Sequence, residues 1–193
     1  MRLGAQDVRW RVREGVALGL QRLGAADPAA LLAVLDAWTG DPHPLVQRAR
    51  VAAICEPPLL ENRMLAAAAL VAVEQGTQFL RDVPAERRRD DDVRTLRQAL
   101  GWCWSVAVVA HPATGLPAFA ALSTDADADV QWVVRSNRSR TRMVRLLAAE
   151  EPRDGEGVRD GDAAQVAAGP DGAARHDGAV RQDGAAQSSA LEA

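Results

Sequence analysis

Four short segments of this chain share one opening. Asp7-Val8-Arg9, Asp92-Val93-Arg94 and Asp129-Val130-Gln131 each set an acid directly before Val and then Arg or Gln, and Asp41 leads into Val46-Gln47-Arg48. The four valines are separated by 38, 47 and 37 residues. Behind them apolar residues recur at helical spacing: Val8, Val12, Val16 and Leu20 in the first segment, and Val130, Val133, Asn137, Val144 and Leu147, with one polar member, in the last. That period belongs to an amphipathic helix; a half-buried strand would alternate. An acid at each start meets the free amides of a helix N-terminus. Further helical stretches lie between, at 28–38, 59–80 and about 116–122, with Pro28 suited to a first turn behind an Asp27 cap. The spacing predicts a helix pair repeated every 37 to 47 residues. One such pair cannot bury its apolar stripe alone, so stacking of neighbours must supply the core.

The acid-x-x-Val-Arg opening of each second helix resembles the HEAT-repeat consensus, over about residues 5–148. The resemblance implies an all-α fold, a short HEAT-like α-α superhelix (solenoid) of armadillo-like helical type, made of three pairs and one leading helix at 7–24. Only residues 1–6 precede that leading helix, so an uncapped N-terminal helix is expected, open to self-association or to docking of another chain. A second resemblance is shorter. Arg97-Gln98-Ala99-Leu100-Gly101-Trp102 is similar to the Arg-Lys-Ala-Ile-Gly-Trp segment of HEAT-like alkylpurine DNA glycosylases. It implies Trp102 as a cleft aromatic and Arg97 as its basic neighbour, with an Asp one turn after a Trp on another helix. The nearest such spacing here is Trp10-xxx-Glu14, and the segment continues Cys103-Trp104-Ser105-Val106-Ala107 where that family runs polar and basic.

Composition changes after about Glu150. Residues 151–193 are dominated by Gly, Ala and Asp, with Asp-Gly pairs starting at 154, 160, 171, 177 and 183 and no aromatic residue. Such a segment cannot bury enough area to offset ordering costs of about 1–2 kcal/mol per residue, so a disordered acidic tail is expected. Residues 1–150 carry 19 Arg and 17 acids, whereas 151–193 carry 4 Arg and 9 acids. All basic charge is Arg; the chain has no Lys. No apolar window is long enough to span a bilayer, and the N-terminus alternates charge without an apolar leader, so a cytoplasmic protein with no membrane association is expected.

Searching for chemistry returns no GxGxxG, P-loop, HExxH or GxSxG pattern, and no catalytic residue, cofactor or metal is assigned. Cys55 and Cys103 read as buried structural thiols. Asp125-x-Asp127-x-Asp129 opens like a calcium loop, but Val130 stands at the sixth position and Ser136 at the twelfth, so it reads as a capping turn. The candidate site is basic. On a single helix from Val130 to Leu147, Arg135, Arg138, Arg142 and Arg145 are spaced three, four and three apart, opposite the apolar stripe. Four guanidiniums in a row can track carboxylates or phosphates. Trp132 lies beside them as a stacking anchor. Asn137 falls on the apolar side, where it must pair with a neighbouring element or, as in armadillo-like proteins, hold a bound peptide backbone. The function expected is a non-enzymatic interaction or scaffold module binding a protein or other extended acidic partner. DNA binding or alkylation repair through Trp102 and Arg97 is the alternative.

Overall fold

Asp27 accepts a hydrogen bond from the Ala30 N–H at 3.0 Å and Pro28 fills the first helical position behind it, so one helix ends and the next begins across a single residue. In the computed structural model, which describes residues 1–150, the order is α1 (Arg2–Ala5), α2 (Trp10–Ala26), α3 (Pro28–Ala37), α4 (Pro44–Ile54), α5 (Arg63–Asp82), α6 (Asp91–Ala110), α7 (Pro112–Ala121), α8 (Ala128–Arg138) and α9 (Thr141–Glu150). Short 3-10 turns occupy Pro57–Glu61, Ala85–Arg87 and Leu122–Thr124. No strand occurs among the described residues; the domain is all-α. The expected tail, 151–193, lies outside them.

The helices stack as hairpins in two rows. Helices α2, α4, α6 and α8 lie side by side, each against the next, while α3 and α5 touch each other and cover α2, α4 and α6; α7 packs on α6. The seam between the rows is dry: Leu20, Leu31, Val46, Ile54, Leu65, Leu80, Leu96, Leu100 and Trp104 are fully buried. Trp104 donates its indole N–H to Thr77 Oγ1 at 2.9 Å and lies against Phe119, so the largest side chain of the core leaves no polar atom unpaired. Cys103 Sγ and the Cys55 N–H share one acceptor, the Val51 carbonyl, and burial pushes the Cys55 thiol well up, with Cys103 beside it. Both thiols are free and inert in this setting.

The repeat is real but its first member is shifted. Val46, Val93 and Val130 each occupy the third position of their helix and are buried. Val8 does not: it precedes α2 and is 92% exposed, and the third residue of α2 is Val12. The reason lies five residues before each valine. Asp7, Asp41 and Asp125 accept the backbone N–H two residues on, at 2.9, 3.0 and 2.8 Å, closing the same turn before α2, α4 and α8. The residue after each valine then ties that loop down. Arg13 donates to the carbonyls of Asp7 and Val8, Gln47 to those of Trp38, Thr39 and Asp41, and Gln131 to those of Leu122, Ser123 and Asp125. The unit is therefore Asp-x-x-x-x-Val-(Arg/Gln), and these acids close loops instead of capping helices. Before α6 the Asp is replaced by Arg88, which closes the longer loop from the other side by donating to the carbonyls of Val83 and Arg81.

Two boundaries differ from expectation for packing reasons. Leu59 and Leu60 are buried in a 3-10 turn, and α5 starts only at Arg63 behind Asn62, whose side chain accepts from Met64 and Leu65. The predicted helix from Val130 to Leu147 is broken at Ser139–Arg140. The inward residues of α8 are Val130, Val133, Val134 and Asn137, and an unbroken helix would next turn Val144 inward. The break advances the phase by one residue, so Met143 is buried and Val144 is half exposed. At the other end residues 1–6 are not idle: α1 packs on α2 and α4, Ala5 is fully buried and Arg2 pairs with Asp41. Leu3, Trp10 and Leu18 remain exposed on that end.

Candidate interaction surface

Between 130 and 149 the chain carries five arginines, at 135, 138, 140, 142 and 145, and no acid. Elsewhere in the described residues eight of the fourteen arginines pair with a carboxylate. Arg48 pairs with Glu14 across α4 and α2, Arg81 with Asp125, Arg88 with Asp127 and Asp129, and Arg97 with Asp129. The Asp125-x-Asp127-x-Asp129 turn is thereby neutralised by three guanidiniums of the preceding unit, while Asp127 caps α8. The Asp127 N–H and then Arg81 hold the Asp125 carboxyl below its ordinary value against partial burial. Among the described residues none of the five C-terminal arginines has a carboxylate partner.

They do not form one stripe. Arg135 and Arg138 belong to α8 and Arg142 and Arg145 to α9, and the intervening break removes the common helical phase. Arg138 donates to Ser123 Oγ at 2.9 Å, toward the turn before α8. Arg142 instead lies 4.8 Å over the Trp102 ring on α6 and lines a groove of about 390 Å³ with Pro57, Leu60, Glu61, Val106 and Val109. Arg135, Arg140 and Arg145 are exposed. The groove was not foreseen; its only sequence signal is that α6 stays apolar as far as Val109, which the structure leaves 38% exposed.

The remaining candidates belong to the seam between α6 and α8. Asn137 is fully buried; its Oδ1 accepts the Ser105 N–H at 2.8 Å and its Nδ2 donates to the carbonyls of Leu100 and Val133. Both amide hydrogens and one acceptor position are used inside a fully buried seam, so Asn137 serves here as a cross-link between α6 and α8. Trp132 is half-buried over Gly101, where a Cβ would stand 2.6 Å from its ring, and Arg97 lies 5.0 Å from its centroid while bonded to Asp129 at 2.5 Å. Trp102 is covered by Arg142. The residues that carry the glycosylase resemblance are thus engaged in helix packing, and Glu14 is engaged by Arg48. No group of three or more metal-binding side chains occurs among the described residues, and no described helix is long and apolar enough to cross a membrane.

Set against known protein families, curated proteins and solved structures, the chain gives no match. The class that the fold defines is an all-α stack of helical hairpins; its working surface must be argued from its own geometry.

Proposed function

We propose that this chain is a non-enzymatic, HEAT-like interaction module whose C-terminal helices bind an acidic protein segment carrying an apolar anchor. The observation that carries the reading is the concentration of five arginines, none with a carboxylate partner among the described residues, on α8, α9 and the turn between them, next to an apolar groove that shares Arg142 with them. Exposed guanidiniums recruit an acidic chain at a distance, but each contact contributes under about 1 kcal/mol in salt. Affinity therefore needs buried apolar area, and Val109, exposed at the rim of a groove walled by the buried Leu60 and Val106, offers it beside the charge. Glu61 in the same groove disfavours any anion there, so the groove takes the apolar anchor and the acidic residues of the partner fall on the exposed arginines.

Fluorescence anisotropy with three probes tests the reading: an Asp/Glu-rich peptide bearing one Leu, the same peptide with Leu replaced by Ser, and a short DNA duplex. The Leu peptide binds best, Val109→Asp erases its advantage over the Ser peptide, and Arg145→Glu weakens both peptides. Equal binding of the two peptides refutes the anchor. Submicromolar, salt-steep binding of the duplex moves the protein to the nucleic-acid class.

A further inference from the structure

We propose that the groove between α3 and α5, floored by Arg50 of α4, is a binding site for a small carboxylate with an apolar body. The proposal is independent of the C-terminal surface. Arg50 is 3% exposed, yet the structure gives it no carboxylate. Its Nε donates to the Leu35 carbonyl at 3.0 Å, Nη1 to Gln47 Oε1 at 2.7 Å, and Nη2 to Thr39 Oγ1 at 2.8 Å and Gln75 Oε1 at 2.7 Å, all of them neutral acceptors. Arg48, Arg81, Arg88 and Arg97 are all less buried, and each holds a carboxylate. A guanidinium withdrawn from water is ordinarily matched by a countercharge, because neutral dipoles replace only part of its hydration. Burial accordingly pushes the Arg50 pKa down, with the field of exposed Asp36 opposing in part.

This charge opens onto space. A groove of about 460 Å³ runs over Arg50, lined by Leu32, Asp36 and Thr39 on one side and Ala68, Val71 and Gln75 on the other. That volume falls within the range of small-molecule sites. Thr39 and Gln75 meet at Arg50, so they mark its polar end; Ala68 lies seven residues before Gln75 on α5, about 10 Å away, and with Leu32 of α3 marks an apolar end. Gln75 is only half-buried, and its Oε1 stands where one oxygen of a carboxylate would accept from Nη2. With Gln75 swung aside, the ligand takes Nη2 and the fifth guanidinium N–H, the Nη1 hydrogen not directed at Gln47, as a two-point contact. Its hydrocarbon then lies along Leu32, Ala68 and Val71. Asp36 at the rim selects a monoanion over a polyanion.

Hexanoate is the test probe, with hexan-1-ol and hexylammonium as controls, titrated into the full chain and followed by amide proton–nitrogen spectra and thermal unfolding. Hexanoate is expected to saturate, to move the Gln75 side-chain amide and the Thr39 backbone amide, and to raise the melting temperature; neither control does so. Arg50→Met removes four hydrogen bonds and can fail to fold, so the informative variant is Val71→Glu, which changes an exposed wall residue and sets a like charge in the groove. It is expected to weaken hexanoate at least about tenfold, equivalent to one 1.4 kcal/mol step, with the free protein's melting temperature unchanged. No saturable shift with hexanoate, equal binding of hexan-1-ol or hexylammonium, or undiminished binding by Val71→Glu overturns the proposal.

Discussion

Replacing Asn137 with Ala is expected to be among the most damaging single changes on α8, although the side chain is small and polar. Its carboxamide enters the backbone of α6 between Leu100 and Ser105, where Oδ1 takes the Ser105 N–H and Nδ2 reaches the Leu100 carbonyl. The adjacent Gly101 carbonyl accepts from Ser136 Oγ at 3.0 Å, so α8 grips the backbone of α6 at neighbouring points. Truncation deletes three buried hydrogen bonds, to Ser105, Leu100 and Val133, each worth about 0.5–1.5 kcal/mol. The sum, about 2–4 kcal/mol, is a large share of the about 5–15 kcal/mol available to a domain of this size. It corresponds to a loss of about 4–16 °C in melting temperature. Urea unfolding gives the first number, and amide exchange at Ser105 gives the cause. Asn137→Leu keeps the branched shape, adds volume to a fully buried seam and discards both polar functions, so it should cost at least as much as Ala. If Asn137→Ala loses less than about 0.5 kcal/mol and the Ser105 amide stays protected, α6 has closed its own ladder and the cross-link argument is wrong.

Other substitutions test other joints. Gly101→Ala brings a methyl within 2.6 Å of the Trp132 ring, so α6 and α8 must part or the indole must turn, at about 1–3 kcal/mol; unchanged tryptophan fluorescence and stability would contradict this. Gln47→Ala and Gln131→Ala each free three loop carbonyls, but only Gln47 also receives the Arg50 guanidinium, so its variant should be the less stable in parallel denaturant titrations. Asp125→Asn probes the acid limb. A carboxyl held below its ordinary 3.8 stabilises the fold fully above that value and ceases to do so as pH falls through the lowered one. The wild type should therefore lose stability on acidification below about pH 5, and the Asn variant should start lower at neutral pH and fall less over the same window. Parallel pH profiles would remove Asp125 from the account.

The helical period and the junction at Asp27-Pro28 were legible because both are local: a stripe and a cap need no knowledge of neighbours. Three of the four valines marked equivalent positions for the same reason. Val8 misled because Asp7-Val8-Arg9 imitates the helix opening at zero separation, whereas the operative spacing places the acid five residues before Val12. That longer spacing was present three times in the sequence, but only the hydrogen bonds to Arg13, Gln47 and Gln131 reveal what it does. The break at Ser139–Arg140 was hidden because it answers to Met143 meeting α6 and α8, a long-range demand that no local preference records. Arg50 was invisible for a related reason. In a chain whose every basic side chain but histidine is Arg, nothing in the sequence separates the guanidinium that folding removes from water from its exposed neighbours among the described residues.

The distribution of ion pairs then divides the molecule by role. Internal pairs such as Arg97–Asp129 and Arg88–Asp127 link adjacent hairpin units at partly buried positions, where salt screens poorly. Arg135, Arg138 and Arg145 of α8 and α9 face water, where screening is strong. Added salt should therefore leave the unfolding of residues 1–150 nearly unchanged while weakening any acidic ligand held at the C-terminal end. A fold stabilised chiefly by its exposed arginines would show the opposite pattern, with stability falling in step with binding. The two measurements made on one preparation distinguish a surface that recognises a partner from one that merely keeps the stack in solution.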